Sequence, residues 1–158
     1  MEIRLASIKD GQILAELNRD VQQIHAEAWP SHFREPTNQL EVAEWFKKLL
    51  TKPQNQIFIG ESAGEAVGYL YCEIVRQPGN PFNHPREFVY IHQISVKPVF
   101  WGQGYGRSLM GAATRLAKSE GVNQVLLDTW SFNTTAKAFF EIQGFIVFNE
   151  RMHLQLDS

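Results

Sequence analysis

The sequence predicts a mixed α/β domain (α+β), with a central, mostly antiparallel sheet of about six to seven strands flanked by about four helices. Three observations carry this reading. One alternating run is followed by two stretches with helical spacing. Three β-rich runs then succeed one another with only turns between them. From Gly104 onward, helical and extended patterns alternate strictly.

The elements follow in chain order. "EIRLAS" alternates apolar and polar residues and reads as the first strand. Ser7 or Asp10 can cap the next helix, whose residues Ile13, Leu14, Leu17, Val21, Ile24 and Ala28 share a face until Pro30 ends it. After a loop with Pro36, Asn38 can cap a second amphipathic helix through Leu40, Val42, Trp45, Phe46, Leu49 and Leu50, stopped before Pro53. "QIFIGES" and "EAVGYLYCEIV" form a hairpin around Ala63 and Gly64, and "EFVYIHQISV" follows the turn-forming "QPGNPFNHP" to make a meander. A helix then runs from Gly104 to Glu120, "QVLLDTW" is a strand, and a further helix spans Asn133 to about Gln143. "FIVF" and "MHLQL" close the sheet. No repeat, linker or low-complexity tract interrupts residues 1–158, which read as one domain.

Composition excludes several function classes. At 44% apolar and 20% charged residues, the chain can bury an ordinary core. Its net charge of −2 offers no global basic field, so nucleic acid is not an expected partner. Cys72 is the single cysteine, set among apolar residues, and reads as a buried, inert thiol in a reducing setting. The start "MEIRLASIKD" carries no signal core, and no window approaches the roughly twenty apolar residues of a membrane span. A cytoplasmic protein without membrane contact is expected. Zinc signatures such as H-E-x-x-H are absent, and no metal is expected.

"WGQGYGRSLM" places three glycines, Gly102, Gly104 and Gly106, where an extended run turns into a helix. Helix N-terminal amides lack intrahelical acceptors, the dipole adds positive charge, and glycines let a phosphate approach. A tight turn without a ligand explains the glycines equally well. The dinucleotide fingerprint fails, because Arg107 or Leu109 stands where the third glycine belongs. The P-loop fails at Ala112 and Ala113, and the nucleophile elbow fails because Met110 follows Ser108 and Leu109.

"ISVKPVFWGQGYGRSLM" resembles the acetyl-CoA motif of the GCN5-related N-acetyltransferases (GNAT), in which R/Q-x-x-G-x-G/A joins a strand to a helix. A second block, "NTTAKAFFEIQGF", is similar to that family's N-x-x-A-x-x-x-Y-E-x-x-G-F, with Asn133, Ala136, Glu141, Gly144 and Phe145 in register. The resemblance covers roughly residues 65–145 and implies a sheet splayed between its fourth and fifth strands. It also implies that Gly102, Gln103, Gly104, Tyr105, Gly106 and Arg107 hold the CoA pyrophosphate. Pantetheine would lie along Ile94, Ser95 and Val96 and use their backbone groups as an added strand would. Asn133 would contact the CoA arm while capping its helix.

Two positions depart from the family. Trp101 replaces the Arg or Gln of the motif, and because backbone amides make the phosphate contacts, the expectation is a turn that packs differently but still binds. Phe140 stands where many members carry a Tyr that protonates the leaving thiolate, and a phenyl ring cannot donate. Tyr105 and Tyr71 are stand-in hydroxyls. An ammonium acceptor needs a base, and His92 is the candidate on the strand expected to carry the thioester; a histidine satisfied within the sheet is the alternative. Glu87, Tyr90 and Glu73 are further candidates. His25, Trp29, His32 and Phe33 lie where the family covers its acceptor.

The reading is an N-acetyltransferase that transfers acetyl from acetyl-CoA to a primary amine by direct attack in a ternary complex. The alternative is a catalytically inactive acyl-CoA-binding regulatory module. The acceptor is a small-molecule amine or a peptide amine, and a homodimer through sheet edges or "MHLQL" follows by analogy.

Overall fold

The computed structural model describes residues 1–157, which form two bodies, Met1–Asp128 and the stretch from Thr129 onward. The first is built on the meander. Strands β1 (Glu2–Leu5), β2 (Asn55–Ser62), β3 (Glu65–Gln77), β4 (Arg86–Val96) and β5 (Val125–Leu127) lie side by side in chain order. Every neighbouring pair is antiparallel except β4 and β5. That pair is parallel because helix α3 (Tyr105–Ser119) carries the chain back along the sheet between them. Ala63 and Gly64, with φ of 49° and 80°, make the expected two-residue turn between β2 and β3.

The sheet is covered on both faces. Helices α1 (Gly11–Ala28) and α2 (Gln39–Leu50) set Leu14, Leu17 and Phe46 on Ile57, Ile59, Tyr69 and Tyr71. Helix α3 buries Leu109, Met110, Ala113 and Ala117 on the other side, where a β carbon at Gly60 would stand 3.7 Å from the Tyr105 ring. Burial on both faces is why "GYLYC" runs apolar without alternation. Asn38 caps α2 as its position predicts, its Oδ1 accepting the Glu41 N–H at 3.0 Å. Ser7 caps a 3-10 turn, Ile8–Asp10, and the Asp10 carboxylate accepts from the Ser7 N–H at 2.7 Å and from the Arg4 guanidinium at 2.9 Å. No helix among the described residues is long and apolar enough to cross a membrane.

Five strands replace the six to seven expected. Among the described residues, "FIVF" and "MHLQL" form no strand. Alternation sets which way side chains point, but a strand also needs a neighbouring edge for its N–H and C=O groups, and no ladder takes these segments up. Ile146, Phe148, Met152, Leu154 and Leu156 are exposed. The second body contains helix α4 (Thr134–Ile142), which is capped by Asn133 Oδ1 accepting the Ala136 N–H at 3.2 Å.

Candidate active site

After β4, a 3-10 turn over Pro98–Phe100 leads to Gly102 (φ 74°) and Gly104 (φ 87°), the residue preceding α3. Both adopt the left-handed conformation that glycine enters at little cost. The first helical bond runs from the Ser108 N–H to Gly104 O, so the amides of Tyr105, Gly106 and Arg107 precede any intrahelical acceptor. A β carbon at Gly102 would meet nothing within 4 Å, and one at Gly104 would meet only Met1 Cε at 4.0 Å. Open amides, the positive end of a helix dipole and free space at both glycine β-carbon positions make a cradle for an anion. Around it, Gln103 Nε2 donates to Val99 O at 3.1 Å, and Tyr105 is buried with its ring edge-on to Phe100.

The strand leading into this turn has an open edge. Pairing of β4 with β5 ends at Ile91 and Leu127, while β4 continues to Val96. Lys97 donates its N–H to Val67 O on β3, and backbone alternation therefore turns the N–H and C=O groups of Ile94 and Val96 to the other edge. Ser95 pairs with Tyr69 on β3, and its hydroxyl donates to Leu17 O of α1 at 3.1 Å. The departure at position 101 has a structural consequence at this edge. The Trp101 indole N–H donates to Val96 O at 2.7 Å, tying the glycine turn to the end of β4 and occupying one of its acceptors.

His92 owes its direction to a β-bulge. Tyr71 pairs with Gln93, but the next residue, Cys72, pairs with Ile91, so β4 carries one extra residue here and that residue is His92. The insertion turns His92 and Gln93 to the same face. His92 stacks on Tyr71 with centroids 4.5 Å apart and planes 13° from parallel, and Tyr90 meets it edge-on at 4.7 Å. Nε2 of His92 lies 3.6 Å from Glu73 Oε1. Burial lowers the imidazole pKa from its ordinary value, and Glu73 opposes the shift. The parity of the apolar residues signals this bulge in the sequence. Val89 and Ile91 keep one phase and Ile94 and Val96 the other, and the switch falls on His92 and Gln93.

The other candidates separate. Tyr90 belongs to the His92 cluster and donates its hydroxyl to Asp128, just beyond β5, a residue that nothing in the local sequence singles out. Glu73 joins the same cluster, whereas Glu87 is paired with Arg76 at 2.8 Å. Tyr71 is buried, and its hydroxyl donates to Asn55 Oδ1 at 3.3 Å; burial pushes its pKa up to about 12. Burial likewise pushes the Cys72 thiol up to about 12, which suits an inert core residue. A chain of hydrogen bonds, Asn18 Nδ2 to Tyr69 hydroxyl to Gln93 Oε1 at 2.9 and 2.8 Å, joins α1 to the bulge. At the end of α1, Trp29 stacks on His32 at 4.5 Å, and His25 meets Phe33 edge-on at 4.9 Å.

In the second body, Phe140 is buried with its ring 5.5 Å from Phe139 and 6.0 Å from Phe145. Asn133 holds the N-cap of α4, the structural role its residue type suits.

Residues 18–145 match the acetyltransferase (GNAT) family. An uncharacterized N-acetyltransferase of Archaeoglobus fulgidus is 30% identical over 104 residues, 65% of this chain and 66% of that protein. The chain spans 41% to 66% of the length of the curated relatives it matches. The solved tetramutant of the BH1408 protein from Bacillus halodurans aligns with a TM-score of 0.92 at 26% identity, covering 99% of this chain and 100% of that one. The aminoglycoside N-acetyltransferase AAC(6')-Iy, solved in complex with CoA, aligns with a TM-score of 0.74 over 99% of this chain and 95% of its own. At 19% identity that likeness is one of fold.

Proposed function

The chain belongs to the acetyltransferase (GNAT) family, and we propose that it transfers the acetyl group of acetyl-CoA to a primary amine by direct attack in a ternary complex. One observation carries the reading. A single strand, β4, ends in the open glycine turn and holds His92 on a bulge where its pairing with β5 stops. An extended molecule with a phosphate at one end and a thioester along its length fits that arrangement. The amides of Gly102, Gln103, Gly104, Tyr105, Gly106 and Arg107 receive the pyrophosphate. The edge groups of Ile94 and the Val96 N–H receive the pantetheine amides, with Ser95 fixing the strand to α1. In the second body, the family motif implies CoA contacts for Asn133 and Phe140.

Acetyl-CoA supplies an acyl carbon bonded to a thiolate leaving group. His92 takes one proton from the acceptor ammonium, which frees the nitrogen lone pair. As the N–C bond forms and the C–S bond breaks, the electron pair of the latter leaves on sulfur. Of the two protons the nitrogen gives up, one ends on the CoA thiol and the other in solution. The acceptor is a cationic amine, small or peptidic, as the mild negative charge of the chain allows.

Initial-velocity kinetics test the order of events. Intersecting double-reciprocal lines, with no label exchange between acetyl-CoA and CoA in the absence of amine, are expected. Parallel lines with amine-independent exchange would replace direct attack by an acyl-enzyme. Phe140, which has no proton to donate, favours a second reading, an acyl-CoA-binding module without turnover. Acetyl-CoA binding with background thiol release across an amine panel would select it.

A further inference from the structure

The surroundings of His92 hold more than a lone base requires. Tyr71 is a fixed platform: it is buried, its hydroxyl is bonded to Asn55, and Asn55 Nδ2 donates to Leu49 O near the end of α2 at 3.0 Å. Trp45 of α2 backs the same ring edge-on at 6.3 Å. Tyr90 meets the imidazole edge-on and is itself held by Asp128. Between these rings the imidazole can still rotate about its side-chain bond, and stacking alone does not choose which nitrogen faces which way. Glu73, opposite Tyr90 in the β3–β4 register, supplies that choice.

On the reading that His92 is the base, we propose that Glu73 is its positioning residue. The carboxylate holds Nε2 toward itself, leaves Nδ1 to accept the ammonium proton, and balances the charge that His92 then carries. At 3.6 Å the two groups are beyond a strong hydrogen bond but within ion-pair reach, so Glu73 acts most on the protonated ring. Both side chains are partly exposed, 35% for His92 and 31% for Glu73, which sets a modest effect. The Tyr71 and Tyr90 rings also face the imidazole, and Asp128 reaches it through Tyr90.

Glu73→Gln removes the charge and keeps the shape. The His92 ring, followed by its carbon-bound proton resonance in an NMR titration, should then titrate at lower pH than in the wild type. The acid limb of kcat/KM should move the same way. Above that limb kcat should fall roughly 1.5- to five-fold, the range for a partly exposed ion pair, with KM for acetyl-CoA unchanged. Below it the two proteins should converge. Glu73→Asp, which retains the charge, should recover part of both shifts. In a His92→Ala background, Glu73→Gln should cost nothing further. A folded Glu73→Gln protein with unmoved His92 titration and acid limb overturns the positioning role and leaves the base reading standing. An equal loss in the His92→Ala background overturns it too, by making Glu73 act independently. Wild-type turnover in His92→Ala instead removes the base reading on which the proposal rests.

Discussion

Gly104→Val separates the two roles that a left-handed glycine before a helix can have. Gly104 sits at φ 87° and ψ 3°, and a valine there takes a strained backbone costing about 1–2 kcal/mol. Among the described residues outside its chain neighbours, the nearest atom to a new β carbon is Met1 Cε at 4.0 Å. In a chain of 158 residues the strain should lower the melting temperature by about 2–8 °C. The methyl groups, at the N-cap of α3, should however crowd a phosphate bound at the first amides of the helix. Losing one hydrogen bond to a charged phosphate costs about 1.5–3 kcal/mol, so the dissociation constant for CoA should rise roughly 10- to 150-fold. Gly121, at the other end of α3, has φ 69° and nothing within 4 Å of its β-carbon position, and Gly121→Val therefore imposes similar strain without touching the cradle. Calorimetric titrations with CoA and with desulfo-CoA, alongside thermal melts, read both effects. Wild-type CoA affinity in folded Gly104→Val, or an equal loss in Gly121→Val, would refute the pyrophosphate assignment.

Further perturbations address the remaining parts. His92→Ala should lower kcat by about a hundred- to ten-thousand-fold at neutral pH with CoA affinity retained, and rising pH should recover part of the rate as the acceptor amine deprotonates unaided. Wild-type turnover would assign the histidine to the sheet. Phe140→Tyr should raise turnover modestly if its ring faces the thioester sulfur, and a melt must accompany the kinetics because an unpaired buried phenol costs about 1–3 kcal/mol. Unchanged or lower turnover in a stable variant would remove Phe140 from the leaving-group site. The Arg4 guanidinium holds the Asp10 carboxyl below the usual carboxylate range, so this contact stabilises the fold above the unfolded-state value of about 3.9 and is lost as pH falls through the lower folded value. Arg4→Met should cost about 1–3 kcal/mol at pH 7 and progressively less in denaturant melts below pH 4. A gap that stays constant with pH would contradict the coupling.

Local signals account for most of the first 145 residues. Asn38 and Asn133 cap the helices they precede, Ala63 and Gly64 turn the hairpin, and the glycine spacing marks left-handed positions at Gly102 and Gly104. These are short-range choices of backbone conformation, which a few neighbouring residues decide. The bulge at His92 was legible only as a parity switch among apolar residues, a signal that period-2 reading passes over. Asp128 reaches Tyr90 through a parallel register set by the α3 crossover, and Asn18 reaches Gln93 through Tyr69, so neither contact has any local trace. "MHLQL" alternates as a strand should and forms none, because pairing depends on an edge elsewhere.

The claim that the glycine cradle and the His92 strand together make an acetyltransferase is tested most directly by thiol release from acetyl-CoA over a broad panel of cationic amines. Wild type should release CoA with at least one amine at a rate that saturates in both substrates. His92→Ala should fall toward background under the same conditions while still binding acetyl-CoA. Background release with every amine in wild-type protein that binds acetyl-CoA would contradict the account and leave a binding module in its place.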